Sequence, residues 1–356
     1  MGKATRFFLG ANSGCGFQNL FNKFCESENF YDLLVLKGGP GVGKSTMMRK
    51  IGEAMEARGE SVEYLHCSGD PDSLDGVHIP RIKTAVLDGT TPHILEPIYP
   101  VASERYVNLG QFYDISLGKQ RRDEIISQTK AYKDAYRDAY HMFAAARELD
   151  ENLSSLYLQG MDHAKLVRRT EGIIAREIRG KGSGRSDRYR FLGSLTHKGP
   201  IWRFDSVQQL CPRMYHLLDS CGFAAAMLEQ IHAAARMKQY GVIICPDPEH
   251  MERIQHLLIP ELGVAFVTIK DEMECHCDPY RRIHIDAMIS PEHKKPWKGK
   301  IRFMKKMTAT LRREGIEYLC KAKAEHDRLE GLYRPGIDFV GLTALVEQEI
   351  ERIAKY

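Results

Sequence analysis

Apolar residues fall in short continuous blocks at LLVLKG (33–38), SVEYLHC (61–67) and KTAVLDG (83–89), each bounded by turn-forming residues. Such blocks predict strands buried on both faces. Between the first two, STMMRKIGEAMEARG (45–59) spaces its apolar residues at helical intervals and ends on glycine, predicting a helix. Strands alternating with a helix imply right-handed crossovers and a parallel sheet. Asp70-Pro71 and Asp247-Pro248 each read as an N-cap followed by proline in a first helical turn, predicting a short helix at both places. From 119 to 157 the series Ile126, Tyr132, Tyr136, Tyr140, Phe143, Leu149, Leu153, Leu156 keeps helical spacing, and its tyrosine stripe predicts the core of a helical hairpin.

The pattern occurs twice. FLG at 8–10 returns at 191–193, YDLL at 31–34 as YHLL at 215–218, HCSGDPDSLDGVHIPRIKTAV at 66–86 as CPDPEHMERIQHLLIPELGVAF at 245–266, and LSSLYLQGMD at 153–162 as LEGLYRPGID at 329–338. Four matches in one order make the chain a tandem duplication. Its boundary falls in the basic, Gly/Ser-rich stretch RGKGSGRSDR at 179–188. The expected organisation is a first unit over 1–180, a linker over 181–188 and a second unit over 189–356. A length of 356 residues, 43% of them apolar, is enough for two cores. A net charge of +4 neither requires nor excludes an anionic partner. Nine scattered cysteines form no disulfide framework, and no apolar run is long enough for a signal peptide or a membrane span, so the expected setting is the cytoplasm.

The strongest chemical signal is Gly38-Gly39-Pro40-Gly41-Val42-Gly43-Lys44-Ser45, a complete phosphate-binding loop with a predicted strand before it and a predicted helix after it. Its backbone N–H groups would cradle phosphates at a positive helix end. Lys44 would reach the β and γ phosphates, Ser45 would ligate Mg²⁺, and Thr46 would approach the α phosphate. Asp88, ending the apolar block 85–88, is the expected acidic partner of the metal. One strand is expected between the loop's helix and Asp88, the spacing of the kinase and GTPase branch. No glutamate follows Asp88, which argues against fast autonomous hydrolysis. ATP is the expected nucleotide, because no Asn-Lys-x-Asp guanine-reading motif occurs. Asp70 and His93 should lie at the same sheet edge, Asp70 as a general base or as a partner to the water around magnesium, and His93 as a γ-phosphate contact. His66, Cys67 and His93, and separately Cys275 and Cys277, have zinc-ligand side chains without zinc-site spacing.

The second copy has lost the loop. Matching Gly222 to Gly38 leaves GFAAAMLEQIH without lysine and brings Glu229 near the place of Ser45. The interval from tyrosine to Ile-Pro is four residues shorter there, as expected of a loop that no longer wraps phosphates. The second unit should therefore pack on the first as an intramolecular pseudo-dimer partner, and an arginine among Arg203, Arg213, Arg236, Arg253, Arg281 and Arg282 could enter the first site as a finger. Lys119, Arg121 and Arg122 would contact phosphate if the helical region closed as a lid. The run from Lys294 to Arg313 holds nine Lys or Arg and no acid. It reads as a solvated helix face, with RNA or DNA contact as the alternative.

Together GGPGVGKST, HCSGDPDSLDGV, VLDGTTPH and the duplication resemble a bacterial family of P-loop ATPase-like proteins with two tandem halves, over nearly the whole chain. The resemblance implies ATP bound through Gly38 to Thr46 and Asp88, and names no acceptor; Mg²⁺ is the expectation from Ser45 and Asp88. The expected fold is α/β, two tandem P-loop NTPase-like parallel-sheet domains with long helical tails, the second degenerate. The expected activity is slow or partner-stimulated ATP hydrolysis. A small-molecule or nucleotide kinase, and a nucleotide-gated protein that grips nucleic acid or protein, are the alternatives.

Overall fold

The structure, a computed structural model, describes residues 4–270 and 273–356. The first copy runs β1 (Ala4–Phe8), β2 (Gly10–Ser13), β3 (Gly16–Asn19), α1 (Phe21–Glu28), β4 (Asp32–Lys37), α2 (Lys44–Ala57), β5 (Val62–His66), β6 (Leu74–Ile79), β7 (Thr84–Asp88), β8 (Glu104–Asn108), α3 (Ile115–Gln120), α4 (Arg122–Leu158) and α5 (His163–Glu177). The second runs β9 (Arg188–Tyr189), β10 (Gly193–Thr196), β11 (Gly199–Trp202), α6 (Phe204–Leu210), β12 (Arg213–Leu218), α7 (Ala224–Met237), β13 (Ile243–Asp247), β14 (His250–Ile259), β15 (Val264–Ile269), β16 (Arg281–His284), α8 (Pro291–Lys294), α9 (Lys298–Tyr333) and α10 (Phe339–Ile353). Each copy forms a six-stranded sheet, β1-β5-β6-β7-β4-β8 and β9-β13-β14-β15-β12-β16, the same order in both. The duplication seen in sequence is thus a duplication of topology.

The sheets are mixed rather than parallel. β5–β6 and β6–β7 pair antiparallel in the first, as do β13–β14 and β14–β15 in the second. The predicted short helices after Asp70-Pro71 and Asp247-Pro248 are instead turns leading into β6 and β14. Parallel strands need a crossover of a dozen or more residues, and the segment from β5 to β6 is too short for one. Consequently two strands, not one, separate the helix after the glycine loop from Asp88 in sequence. In space β7 lies directly beside β4.

Alternation along β4 explains its unbroken apolar run. Leu33 and Val35 enter a core shared by the two sheets, which also takes Phe7, Phe191, Met214 and Val267. Leu34 and Leu36 face the other way, under α2. The repeated FLG segments meet here, with Phe8 and Phe191 exchanging backbone hydrogen bonds of 2.9 and 2.8 Å.

The helical tails cross over. Leu342, Val346 and Ile353 of α10 are buried with Met47, Ile51 and Met55 of α2 in the first copy. Reciprocally, Leu166 and Ile173 of α5 are buried with Met227, Leu228 and Ile231 of α7 in the second. Each sheet therefore takes its last helix from the opposite half. Asp162 and Asp338, which end the repeated segments, cap these helices by accepting from Lys165 N and from Val340 and Gly341 N. The predicted helical hairpin over 119–157 is also replaced. α4 is one helix of 37 residues, and its packing partner is α9, antiparallel from the other half. Gly315 permits the approach, since a Cβ there would lie 2.3 Å from the Phe143 ring.

A buried charge cluster joins the halves beside the shared core. Arg190 bonds Glu63 through Nε and Nη2, both at 2.8 Å, and Glu28 at 2.6 Å, while His78 lies 3.0 Å from Glu63. Burial alone would raise the Glu63 carboxyl, but Arg190 and His78 outweigh it and hold it well below the usual range. Removing one partner of such a cluster leaves uncompensated buried charge. Arg190→Leu is expected to cost about 3–5 kcal/mol in urea unfolding at neutral pH. Because the folded carboxyl is depressed, its stabilising contribution is present above the ordinary carboxylate value and is lost as pH falls below about 4.3. The gap between wild type and variant should shrink over that window, which unfolding at several pH values will show.

Candidate functional site

β4 delivers the chain into the glycine loop and α2 carries it away. Gly41 and Gly43 hold φ of 76° and 89°, conformations open to glycine at little cost. Lys44 Nζ donates to the carbonyls of Gly38 (2.7 Å) and Gly39 (3.1 Å) and lies 3.6 Å from Asp88 Oδ2. Asp88 accepts from Thr90 N and Oγ1 at 2.8 and 2.6 Å. Ser45 Oγ accepts from Leu74 N at 3.0 Å, and Thr46 is exposed. The fold thus brings the loop, Lys44, Ser45 and Asp88 together at the carboxyl ends of adjacent parallel strands.

His93 also arrives here, buried and stacked on Phe21 at 4.4 Å. Its Nε2 lies 3.3 Å from Asp75, a residue the sequence did not single out. Burial would lower the His93 imidazole, but Asp75, with Asp88 further off, raises it above its ordinary value. Expecting a short helix after Asp70-Pro71 concealed Asp75; as the second residue of β6, it is carried beside β7 and so toward Asp88. Asp70 caps a turn, accepting from Asp72 N (3.2 Å) and Ser73 Oγ (3.0 Å), and its Oδ2 lies 3.6 Å from Lys323 of α9. His66 instead bonds the carbonyl of Pro71 at 2.8 Å, away from any zinc arrangement with Cys67 and His93.

The second half covers this site with its tail. A Cβ on Gly41 would stand 3.4 Å from Glu330 Cβ, and one on Gly43 would stand 2.9 Å from Leu342 Cδ2. His326, one turn before Glu330 on α9, lies 3.8 Å from it. Burial lowers the His326 imidazole, and Lys44 is among the cations that add to the effect. His326, Asp327 and Glu330 are the one group among the described residues whose ligand atoms converge within 4.8 Å. Lys323, His326 and Glu330 are thus what the second half presents, and no sequence signal marked them, because only the exchanged tails bring α9 to the loop. Five of the six candidate finger arginines are engaged elsewhere. Arg213 bonds Glu177 at 2.5 Å, Arg236 and Arg253 lie by Asp187 and Glu252, Arg203 and Arg281 stack on Phe8 and Tyr280, and Arg282 is exposed near His216.

Beside the loop, Tyr113 donates to the Pro40 carbonyl at 2.8 Å, and Lys119 and Arg122 line an adjoining cavity of about 340 Å³ with Tyr333. Arg121 is committed to the carbonyl of Leu332 at 3.1 Å. In the run from Lys294 to Arg313, Lys298, Lys300, Arg302, Lys305 and Lys306 are exposed, while Arg312 turns in to Asp150 at 2.5 Å. Cys275 contacts His216 at 3.7 Å, and all nine cysteines are free thiols.

Ladder register corrects the equivalence of the two loops. Asp32 opposite Thr84 corresponds to Arg213 opposite Val264, so the matching Tyr-x-Leu-Leu segments are out of step with the fold by three residues. Lys44 and Ser45 correspond to Ala224 and Ala225, the starts of α7 and α2 being equivalent, and Glu229 is not near the place of Ser45. The second loop is shorter by one residue rather than four. At its start, where the first copy has Gly38, stands Asp219. Its carboxylate is fully buried and accepts from the backbone N–H groups of Cys221 (3.0 Å), Gly222 (3.1 Å) and Ala224 (2.6 Å). Burial raises the Asp219 carboxyl above its ordinary value, and the Ala224 and Cys221 N–H groups offset that rise only in part.

No family model, curated protein or solved structure matches this chain. Among the described residues no helix is long and apolar enough to cross a membrane.

Gly43 joins the loop to α10. Gly43→Ala combines a left-handed backbone with a clash against Leu342, and is expected to cost about 1–3 kcal/mol. Limited proteolysis should then cut α10 faster than in wild type.

Proposed function

We propose that the chain binds Mg-ATP at residues 38–46 and hydrolyses it slowly, at one competent site completed by the other half. The observation that carries this reading is the contrast between the loops. In the second copy the backbone donors hold a built-in carboxylate, so this loop geometry gathers N–H groups around an anion. In the first copy glycine replaces that aspartate, and a lysine and a serine stand where the second has alanines. The first nest suits an anion from outside.

Ser45 and Asp88 would hold Mg²⁺, which neutralises charge on the phosphates. Lys44 would exchange its contacts with the Gly38 and Gly39 carbonyls for phosphate oxygens. The Glu330 and His326 pair, laid against Gly41, fills the role of the glutamate missing after Asp88. Glu330 takes the proton as a water oxygen bonds the γ phosphorus, the bond to the β–γ bridging oxygen breaks, and ADP leaves. The paired Asp75 and His93 fix the Asp88 side of the site.

ATP binding and phosphate release should be measured side by side. Lys44→Ala should abolish both, and equal behaviour of variant and wild type would contradict the reading. Glu330→Gln should leave ATP affinity within about twofold and lower release by about a hundredfold or more. Unchanged release in that variant would remove Glu330 from the chemistry while leaving the nucleotide site standing. ADP formation that rises only with an added hydroxyl compound, without matching phosphate release, would make the protein a kinase.

A further inference from the structure

The two long helices that cross between the halves are copies of each other, and one stretch of them differs in charge. Lys298 to Arg313 of α9 corresponds to Arg122 to Arg137 of α4, because the helix starts and the repeated segments near the helix ends share one offset. The α4 stretch holds four Lys or Arg and three Asp or Glu, with Arg122 2.8 Å from Asp123 and Arg137 2.7 Å from Asp134. The α9 stretch holds seven Lys or Arg and no acid. A helix face that meets only water is served by the mixed charges of α4 and has no need of such a bias.

The bias works against the helix that carries it. The first turn of α4 has Asp123 and Glu124, which suit the positive end of a helix dipole, whereas the first turn of α9 has no acid and carries Lys298 and Lys300. Lys298 and Arg302, and again Arg302 and Lys306, stand four residues apart, where like charges repel. Lys298, Arg302, Lys306 and Arg313 are exposed and have no ion-pair partner among the described residues. At 3.6 residues per turn these four lie within about 80° of one another, along about 22 Å of helix. Two aromatic rings flank the stripe: Phe303 is 60% exposed and Trp297 44%, with Lys300 Nζ 5.7 Å from the indole centre.

A row of unpaired cations, held at a cost to its own helix, is complementary to a row of anions. The apolar positions between them are already used: Met304 is buried in the core of the second copy and Ile301 packs against it, so this stretch has no free apolar face to lay into a bilayer. Separate exposed rings among cations instead match an unpaired strand, which presents phosphates to neutralise and bases to stack. A duplex keeps its bases inside and offers those rings nothing. We infer that the α9 face from Lys298 to Arg313 binds a single-stranded nucleic acid, its phosphates along the cations and its bases against Phe303 and Trp297. This does not rest on nucleotide binding at the first site, which meets the opposite end of α9 at Glu330.

The test is fluorescence anisotropy of the full chain with a labelled oligothymidylate long enough to span the stripe. Neutralising four phosphates predicts an affinity that falls by about fiftyfold between about 50 and about 200 mM salt. Lys298→Gln/Arg302→Gln/Lys306→Gln should weaken binding by at least about tenfold at low salt and flatten the salt dependence, with a thermal midpoint at or above wild type because the repulsion is relieved. Lys130→Gln/Lys133→Gln/Arg137→Gln on α4 makes the same change in net charge and should bind within about twofold of wild type. Phe303→Ala should weaken binding by about tenfold and leave the salt dependence as it was. No binding at low salt, undiminished binding by the α9 triple variant, an equal loss in the α4 variant, unchanged affinity in Phe303→Ala, or a duplex bound as tightly as the single strand would each overturn the inference. Capture of phosphatidylserine vesicles in place of the oligonucleotide would overturn it too, and would assign the face to a membrane.

Discussion

The apolar face of α10 has to be buried, and the surface that buries it belongs to the other half of the chain. Leu342, Val346 and Ile353 close the core over α2, and α5 does the same over α7. Burying each such side chain contributes about 1.5–3 kcal/mol, so neither sheet keeps its outer layer without its opposite number. This exchange draws α9 across the glycine loop and α4 across its degenerate counterpart. The site at the glycine loop therefore contains residues more than 150 positions apart in the sequence, and the duplication cannot be divided at its linker without opening it.

Much of this was legible. Continuous apolar blocks placed β4, β5 and β7, and helical spacing placed α2 and the long α4. The loop at 38–46 and Asp88 came together as their motif required, because a parallel pair of strands carries them to one edge. What escaped was decided between distant segments. A proline after aspartate fits a helix start or a turn equally well locally; only the short reach from β5 to β6 selects the antiparallel strand and exposes the role of Asp75. Matching tyrosines suggested one register and strand pairing imposed another. Nothing local tells whether α10 packs on its own sheet or the neighbouring one, so Lys323, His326 and Glu330 could not be found.

The two copies also show how one loop geometry is used in two ways. With glycine at position 38 the backbone donors are left for a ligand, and Lys44 and Ser45 stand ready beside them. With aspartate at 219 the same kind of loop satisfies itself, and alanines stand where the first copy has Lys44 and Ser45. Both loops lie under helices that belong to the opposite half. The two crossing helices, α4 and α9, pack along each other for most of their length.

The most direct test of a composite, single nucleotide site is a crystal structure of the full chain with Mg²⁺ and a non-hydrolysable ATP analogue. The account predicts one analogue, its phosphates within residues 38–46, Ser45 and Asp88 on the metal side and Glu330 of the crossed helix facing the terminal phosphate. An analogue seated on the 219–224 loop, or phosphates bound at 38–46 with α9 swung away, would contradict it.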